Sequence, residues 1–303
     1  MDQPVRISPS RVRVYQDCPK KYNYAYTLGL TQAGKAQAFF HKGNYFHELS
    51  HVYYQLIEAG AKPGSDEALL NIMSRIRNDL DKAPSIDLVP IYATVTKIMS
   101  RFIKEQSPII DRDIQVLGIE QELDYEVTTP AGRVISLFGF IDLIYRDSNG
   151  HLRIRDHKTG QKAWTRSEAV ASNQLLHYAL ATYLRTREAP MAEISYINSK
   201  DYVRKPAEFD KAFSFVVVNY SKKELELYLQ QILILIDDML DSKPVPHYGS
   251  QCNWCPFLTP CTLERKGIDP SPIINEQYTV VDRNAIRQHA KFTDDDSNGD
   301  DAD

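Results

Sequence analysis

Gly139-Phe140-Ile141-Asp142, followed after an Asp147-Ser148-Asn149-Gly150 turn by Asp156-His157-Lys158, is the stretch on which the reading of this chain turns. A turn of Asp, Ser, Asn and Gly between two apolar runs is hairpin chemistry, so residues 134–145 and 151–156 are predicted to pair as antiparallel strands. Residues two apart on a strand share a face, which groups Asp156 with Lys158, and the pairing can bring Asp142 beside them. Two carboxylates and an ammonium then share one pocket. Carboxylate oxygens suit a hard divalent ion such as magnesium or manganese, which polarises a phosphodiester and lowers the pKa of water, while Lys158 would orient that water or offset developing charge. The plain alternative is a hairpin edge with its charges in solvent.

Working outward, residues 114–128 read as a third strand completing a meander, and the sequence before it is helical. Ser8-Pro9 is a cap and first-turn pair opening a helix through Val12, Tyr15, Cys18 and Tyr22; residues 43–59 and 66–107 follow, the latter interrupted at Ala83-Pro84 and Pro90. Beyond the hairpin the predicted order is a helix over 167–187, strands near 194–198 and 213–218, and a helix over 221–240. The domains expected are residues 1–42 with the first cysteine, 43–112 as a helical insertion, 113–245 as the main α/β core, 246–292 as a cysteine-rich region and 293–303 as an acidic tail.

Two further patterns carry chemistry. Gln174 and Tyr178 stand four apart on one helix face and can reach one site together; ordinary packing and capping is the alternative. Cys252-x2-Cys255-x5-Cys261 lies near the C-terminus, and Cys18 is the one other cysteine of four. Without a secretory signal, disulfides are disfavoured and a metal is the better account, either zinc or an iron–sulfur cluster by spacing alone. Lys20, Lys21 and Tyr22, with Tyr24 and Tyr26, flank Cys18 and could offer phosphate and stacking contacts to a single strand; a half-buried helix with two solvated lysines is the plainer account.

Asp142 followed by Asp156-x-Lys158 on consecutive strands resembles the PD-(D/E)XK nuclease superfamily. The order of the other motifs is similar to its RecB-like branch, which includes AddB-type recombination nucleases and CRISPR-associated or phage iron–sulfur exonucleases. Gly43-x3-His47 looks like that branch's upstream helix and Gln174-x3-Tyr178 like its downstream one. The resemblance covers residues 8–261. It implies a restriction-endonuclease-like α/β core, a mixed central sheet flanked by helices, with a helical insertion and an iron–sulfur clasp joining the chain ends. It further implies that His47, Asp142 and Asp156 hold Mg2+ or Mn2+, that Lys158, Gln174 and Tyr178 serve catalysis, that Glu120 is an occasional extra acidic residue, and that Cys18, Cys252, Cys255 and Cys261 hold a 4Fe–4S cluster. The activity implied is exonucleolytic hydrolysis at DNA ends, in recombination, repair, phage DNA metabolism or CRISPR spacer processing, with DNA and a recombination, helicase or CRISPR protein as partners.

His47-Glu48-Leu49-Ser50-His51 also fits the zinc-protease pattern H-E-x-x-H, but no extended Gly and His follow, and that reading leaves Asp142, Asp156, Lys158 and the cysteines without a role. A catalytically silent iron–sulfur DNA-binding subunit is the other alternative; it predicts gaps among the polar positions, and none is vacant. Composition decides less. At 303 residues, 43% hydrophobic and 25% charged, the chain is ordinary for a globular protein. Six aspartates between Asp294 and Asp303 outweigh the whole formal charge of −4, leaving +2 on the rest. That tail lacks the apolar content to fold. No apolar run is long enough for a membrane helix, so a cytoplasmic protein of a bacterium, archaeon or phage-infected cell is expected.

Overall fold

The computed structural model describes residues 4–32, 38–81, 89–160, 162–198 and 213–281, so the expected acidic tail at 293–303 and the Ala83-Pro84 break lie outside the described residues. In chain order the strands are β1 (Val5–Ile7), β2 (Leu30–Gln32), β3 (Gln115–Thr128), β4 (Val134–Arg146), β5 (Leu152–Gly160), β6 (Met191–Asn198), β7 (Phe213–Asn219) and β8 (Tyr278–Val280). The helices are α1 (Pro9–Asp17), α2 (Pro19–Tyr22), α3 (Ala38–Glu58), α4 (Asp66–Asp81), α5 (Val89–Arg101), α6 (Ser107–Ile110), α7 (Arg166–Val170), α8 (Asn173–Thr186), α9 (Lys222–Asp241), α10 (Leu258–Arg265) and α11 (Ser271–Gln277). They form two compact units, one of Met1–Pro9 with Ala36–Asp237, the other of Ser10–Lys35 with Asp238–Asp303.

The first unit is a mixed sheet flanked by helices. β3, β4 and β5 make the predicted antiparallel meander; β5 continues into parallel β6, and β6 into antiparallel β7. β5 is therefore a central strand, with β4 on one side and β6 on the other, and not the solvent-facing hairpin edge that its charges also allowed. β1, which the sequence reading did not anticipate, runs parallel to β4 over Ile135–Leu137, whereas β5 pairs with β4 only over Leu143–Arg146. Along that edge of β4, Phe138–Asp142 thus opens a fork in the sheet.

The core over this sheet is built from the helical region. Ala68, Ile72 and Ile76 recur every fourth residue on α4, and Val95, Ile98 and Met99 line α5, so each helix turns one apolar stripe inward. These residues pack with Phe46, Leu49, Tyr53 and Tyr54 of α3, and against Leu143 and Tyr145 of β4 and Ile197 of β6. Pro90 falls in the first turn of α5, where a missing amide costs nothing, and so starts a helix instead of interrupting one. The single helix predicted over 167–187 is two. Thr165 caps α7 in a capping box with Glu168, and the Ser172 hydroxyl accepts from the Leu175 amide to begin α8 anew.

The second unit is small. Its apolar core is Tyr24, Ala25, Leu30, Phe257 and Tyr278, with Cys255 and Cys261 packed against it, and β2 pairs with β8.

Candidate active site and cysteine centre

Asp142 stands at the mouth of the fork, just before β4 and β5 join. The His157 amide of β5 donates to its Oδ2 at 2.6 Å, so the carboxylate bridges the opening where the ladder cannot. His47, from α3, brings Nδ1 to 3.3 Å from the same oxygen and to 4.0 Å from Glu120 Oε1. Glu120 lies directly across β3 from Asp142, between the paired Ile119 and Gln121. Its φ of 46° is the left-handed region that a glutamate rarely adopts, a strain that concentrates at functional sites. One donor atom each from His47, Glu120 and Asp142 lies within 4.8 Å of the others. An imidazole and two carboxylates make a donor set that fits a divalent cation.

Asp156 and Lys158 reach toward α8, with Asp156 still close enough to Asp142 and His47 for their charges to act on one another. Lys158 Nζ is 2.7 Å from Asp156 Oδ2 and donates to Gln174 Oε1 at 3.0 Å; Gln174 Nε2 donates to Asp156 Oδ1 at 3.0 Å and to the Tyr178 hydroxyl at 3.2 Å. The four side chains close one network, and the i, i+4 spacing on α8 puts Gln174 and Tyr178 on the face that meets it. Gly139 makes the approach possible: a Cβ there would stand 2.6 Å from Tyr178 Cε1.

The alternate residues of β5 face α3 instead. His157 is fully buried, stacked on Tyr54 and edge-on to Phe46 and Phe102. Arg155, also fully buried, donates to Asp111 Oδ1 at 2.6 Å, Tyr145 Oη at 2.8 Å, Tyr54 Oη at 2.9 Å and Glu193 Oε2 at 3.1 Å. It ties α3 and the end of α6 to β4, β5 and β6, directly beside Asp156.

The electrostatics follow from burial among carboxylates. Burial alone would depress His47, but Asp142, with Asp156 and Glu120 beyond it, raises its pKa to about 9. Burial would raise Asp142, yet His47 holds it well below the usual carboxylate range. Asp156 is pushed up, by burial and then by the Asp142 charge, with Lys158 opposing. A cation is thus favoured beside Asp142. Among the described residues, the donors that close on His47 are Glu120 and Asp142 and not His51, so the H-E-x-x-H stretch does not assemble a two-histidine zinc site.

A family model described as the PD-(D/E)XK nuclease superfamily matches residues 6–262 of this sequence. The chain belongs to the PD-(D/E)XK nuclease superfamily. The sheet with its flanking helices is the fold expected of a PD-(D/E)XK nuclease. The chain is 26% identical over 251 residues to an ATP-dependent helicase/deoxyribonuclease subunit of Clostridium botulinum, an alignment covering 74% of this chain and 21% of that protein. It therefore spans about a fifth of that relative's length. A solved structure from Eubacterium rectale, described as a candidate exonuclease, overlaps 80% of this chain and 84% of its own at 10% identity and a TM-score of 0.47.

In the second unit the four cysteines line one cavity of about 190 Å³. Burial raises the thiol pKa of Cys255 and of Cys261, and the neighbouring thiols of Cys18 and Cys252 raise Cys255 further, as those of Cys18 and Cys255 raise Cys261. Four thiolates would not persist there without a cationic group. Among the described residues no three of the cysteine sulfurs lie within 4.8 Å of one another. Sulfurs on one zinc ion would be roughly 3.8 Å apart, from Zn–S bonds near 2.3 Å in a tetrahedron. Four thiols around one cavity are a donor set that fits a thiolate-bound metal group.

The residues considered as strand contacts sit differently from one another. Tyr22 and Tyr24 are buried, the first stacked on Tyr26 and the second on Phe257. Lys20 is ion-paired with Glu264, which also accepts from the Tyr24 hydroxyl at 2.6 Å. Lys21 Nζ lies 3.8 Å from Asp17. The burial of Tyr22 and Tyr24 leaves their rings to the core of the unit, because hydrophobic closure of so small a core takes the largest side chains available.

Proposed function

We propose that this chain is a metal-dependent deoxyribonuclease that hydrolyses phosphodiester bonds at DNA ends. The observation that carries the reading is the fork in the sheet, where His47, Glu120 and Asp142 converge while Lys158 is held by Asp156 and Gln174. His47, Asp142 and Asp156 would hold Mg2+ or Mn2+, with Glu120 joining them. Such an ion, when bound, supplies Lewis-acid polarisation of the phosphodiester. The protein groups do the rest. Lys158 Nζ donates to the attacking water or to the phosphoryl oxygen that gains charge as the P–O bond to the leaving sugar breaks. Gln174 keeps the ammonium aimed, because its carbonyl accepts from Nζ while its amide is fixed on Asp156 and Tyr178.

Cys18, Cys252, Cys255 and Cys261 would bind a 4Fe–4S cluster whose first role is to hold the small second unit together, closing a loop of more than two hundred residues between the first and second cysteines. By analogy with the helicase/deoxyribonuclease relative, the chain would work with a DNA motor in recombination or repair.

The test is digestion of end-labelled linear DNA with manganese or magnesium, using anaerobically purified protein and Lys158→Ala beside it. We expect shortening from the ends, closed circles left intact, and a rate at least about 100-fold lower in the variant. Equal digestion by Lys158→Ala would remove the assignment, and cleavage of closed circles would replace the end-dependent reading with an endonuclease.

A further inference from the structure

We propose that His157 is a positioning residue of the metal site: its ring, packed between β5 and α3, sets the gap across which Asp142 and His47 meet, and it acts through shape and not through a hydrogen bond. The proposal rests on the nuclease reading above. His157 stands between Asp156 and Lys158 in the chain, and its side chain has no part in the chemistry assigned to them.

Asp142 Oδ2 is gripped from two directions. The His157 amide donates to it at 2.6 Å, and His47 Nδ1 lies 3.3 Å from the same oxygen. One grip belongs to β5 and the other to α3. The pairing of β5 with β4 ends at Arg155, two residues before His157, so that ladder does not fix their separation. The imidazole of His157 spans it. The ring is fully buried, stacked on Tyr54 with centroids 5.6 Å apart and edge-on to Phe46 at 6.1 Å and Phe102 at 6.1 Å. Phe46 immediately precedes His47, and Tyr54 lies about two turns further along the same helix. From Asp142 the contacts run to the His157 amide, through its ring to Phe46, on to His47 and back to Asp142.

The surroundings of the ring say what it contributes. Among the described residues neither His157 nitrogen has a hydrogen-bond partner. Two unsatisfied nitrogens in an aromatic pocket oppose stability, so hydrogen bonding is not the ring's contribution. What remains is its flat face and its edges against three other rings. A close-packed interior transmits a change of volume to its neighbours, and here the first neighbour on α3 is joined to a metal-site histidine. Without the ring, α3 can close the space only by moving Phe46, and His47 moves with it. Groups that orient metal ligands from behind change metal affinity by about 10–100-fold when they are removed.

Mn2+ binding to the full-length protein is measured without DNA, from the loss of the free-ion EPR signal, with Asp142→Asn giving the background. His157→Ala is expected to weaken binding at least about tenfold, and to slow DNA digestion at low Mn2+ while saturating Mn2+ recovers most of the rate. His157→Phe keeps a flat ring, drops both nitrogens and should restore most of the lost affinity. His157→Leu, apolar but not flat, should fall between the two and supplies the comparison if the alanine variant does not fold. A folded His157→Ala or His157→Leu that binds Mn2+ as tightly as the parent overturns the proposal and leaves a packing residue. Binding by His157→Phe as weak as by His157→Ala overturns the shape argument, because a ring nitrogen would then be required. In either case a parent that binds Mn2+ and digests DNA keeps the nuclease reading; a parent that does neither overturns both.

Discussion

Arg155 shows why the charge pattern of β5 misleads when read by itself. Arg153-Ile154-Arg155-Asp156-His157-Lys158 alternates like an edge strand in water, yet Arg155 is fully buried and saturated by Asp111, Glu193, Tyr54 and Tyr145. Those partners come from α3, the end of α6, β4 and β6, and no local pattern announces them. Removing one side of a buried, hydrogen-bonded ion pair strands the other, so Arg155→Ala should cost about 3–5 kcal/mol in urea unfolding. A loss under about 1 kcal/mol would mean that water reaches the network. Glu120 teaches the same lesson, since its left-handed backbone and its approach to His47 and Asp142 arise from its place opposite Asp142 in the sheet.

Between elements, the decisive contact is that of α8 against β4. The Gln174 and Tyr178 pair was legible as one helix face, but the notch that receives it is Gly139, four residues after the β4 segment taken up by β1 begins. Gly139→Ala should force the Tyr178 ring away, lowering stability by about 1–3 kcal/mol and loosening Gln174 from Lys158. Melting temperature and DNA digestion measured together test this, and an unchanged melting temperature would show that the ring moves freely. The fork itself was not legible, because it depends on β1, a strand of only three residues, Val5–Ile7, too short to show alternation.

At the scale of the whole molecule, buried histidines set an acid limit. Burial lowers His177 to about 4 and His157 to about 3, so both are neutral in the folded state. The unfolded chain takes up these protons near pH 6.5 and the folded chain does not until near 4, so the contribution of these two histidines is complete above 6.5 and is lost as pH drops through that window. His177 alone accounts for roughly 3 kcal/mol of the fall, at about 1.4 kcal/mol per pKa unit. Urea unfolding across pH 4–7 should show this slope, and His177→Gln should flatten it; an identical slope in the variant would assign the acid sensitivity elsewhere. On the cluster reading proposed above, the second unit would depend on its cysteines in the same global way, since its apolar core among the described residues is a cluster of five buried side chains. Cys255→Ser should lose bound iron and expose residues 238–281 to limited proteolysis while the first unit stays resistant. Retained iron with unchanged proteolysis would mean that the group is held without Cys255.

The sequence by itself determined the meander, because hairpin chemistry and period-two alternation are local. It also determined the family, because Asp156-x-Lys158 and Gln174-x3-Tyr178 are short-range spacings on single elements and Asp142 lies one hairpin before them. Tertiary structure alone decided that β5 is central, that Glu120 and not His51 stands beside His47, and that Tyr22 and Tyr24 are buried while Trp254 is in solvent. Each of these depends on residues far apart in the chain, and which of two chemically equal side chains is buried is settled by the whole core that closes over it.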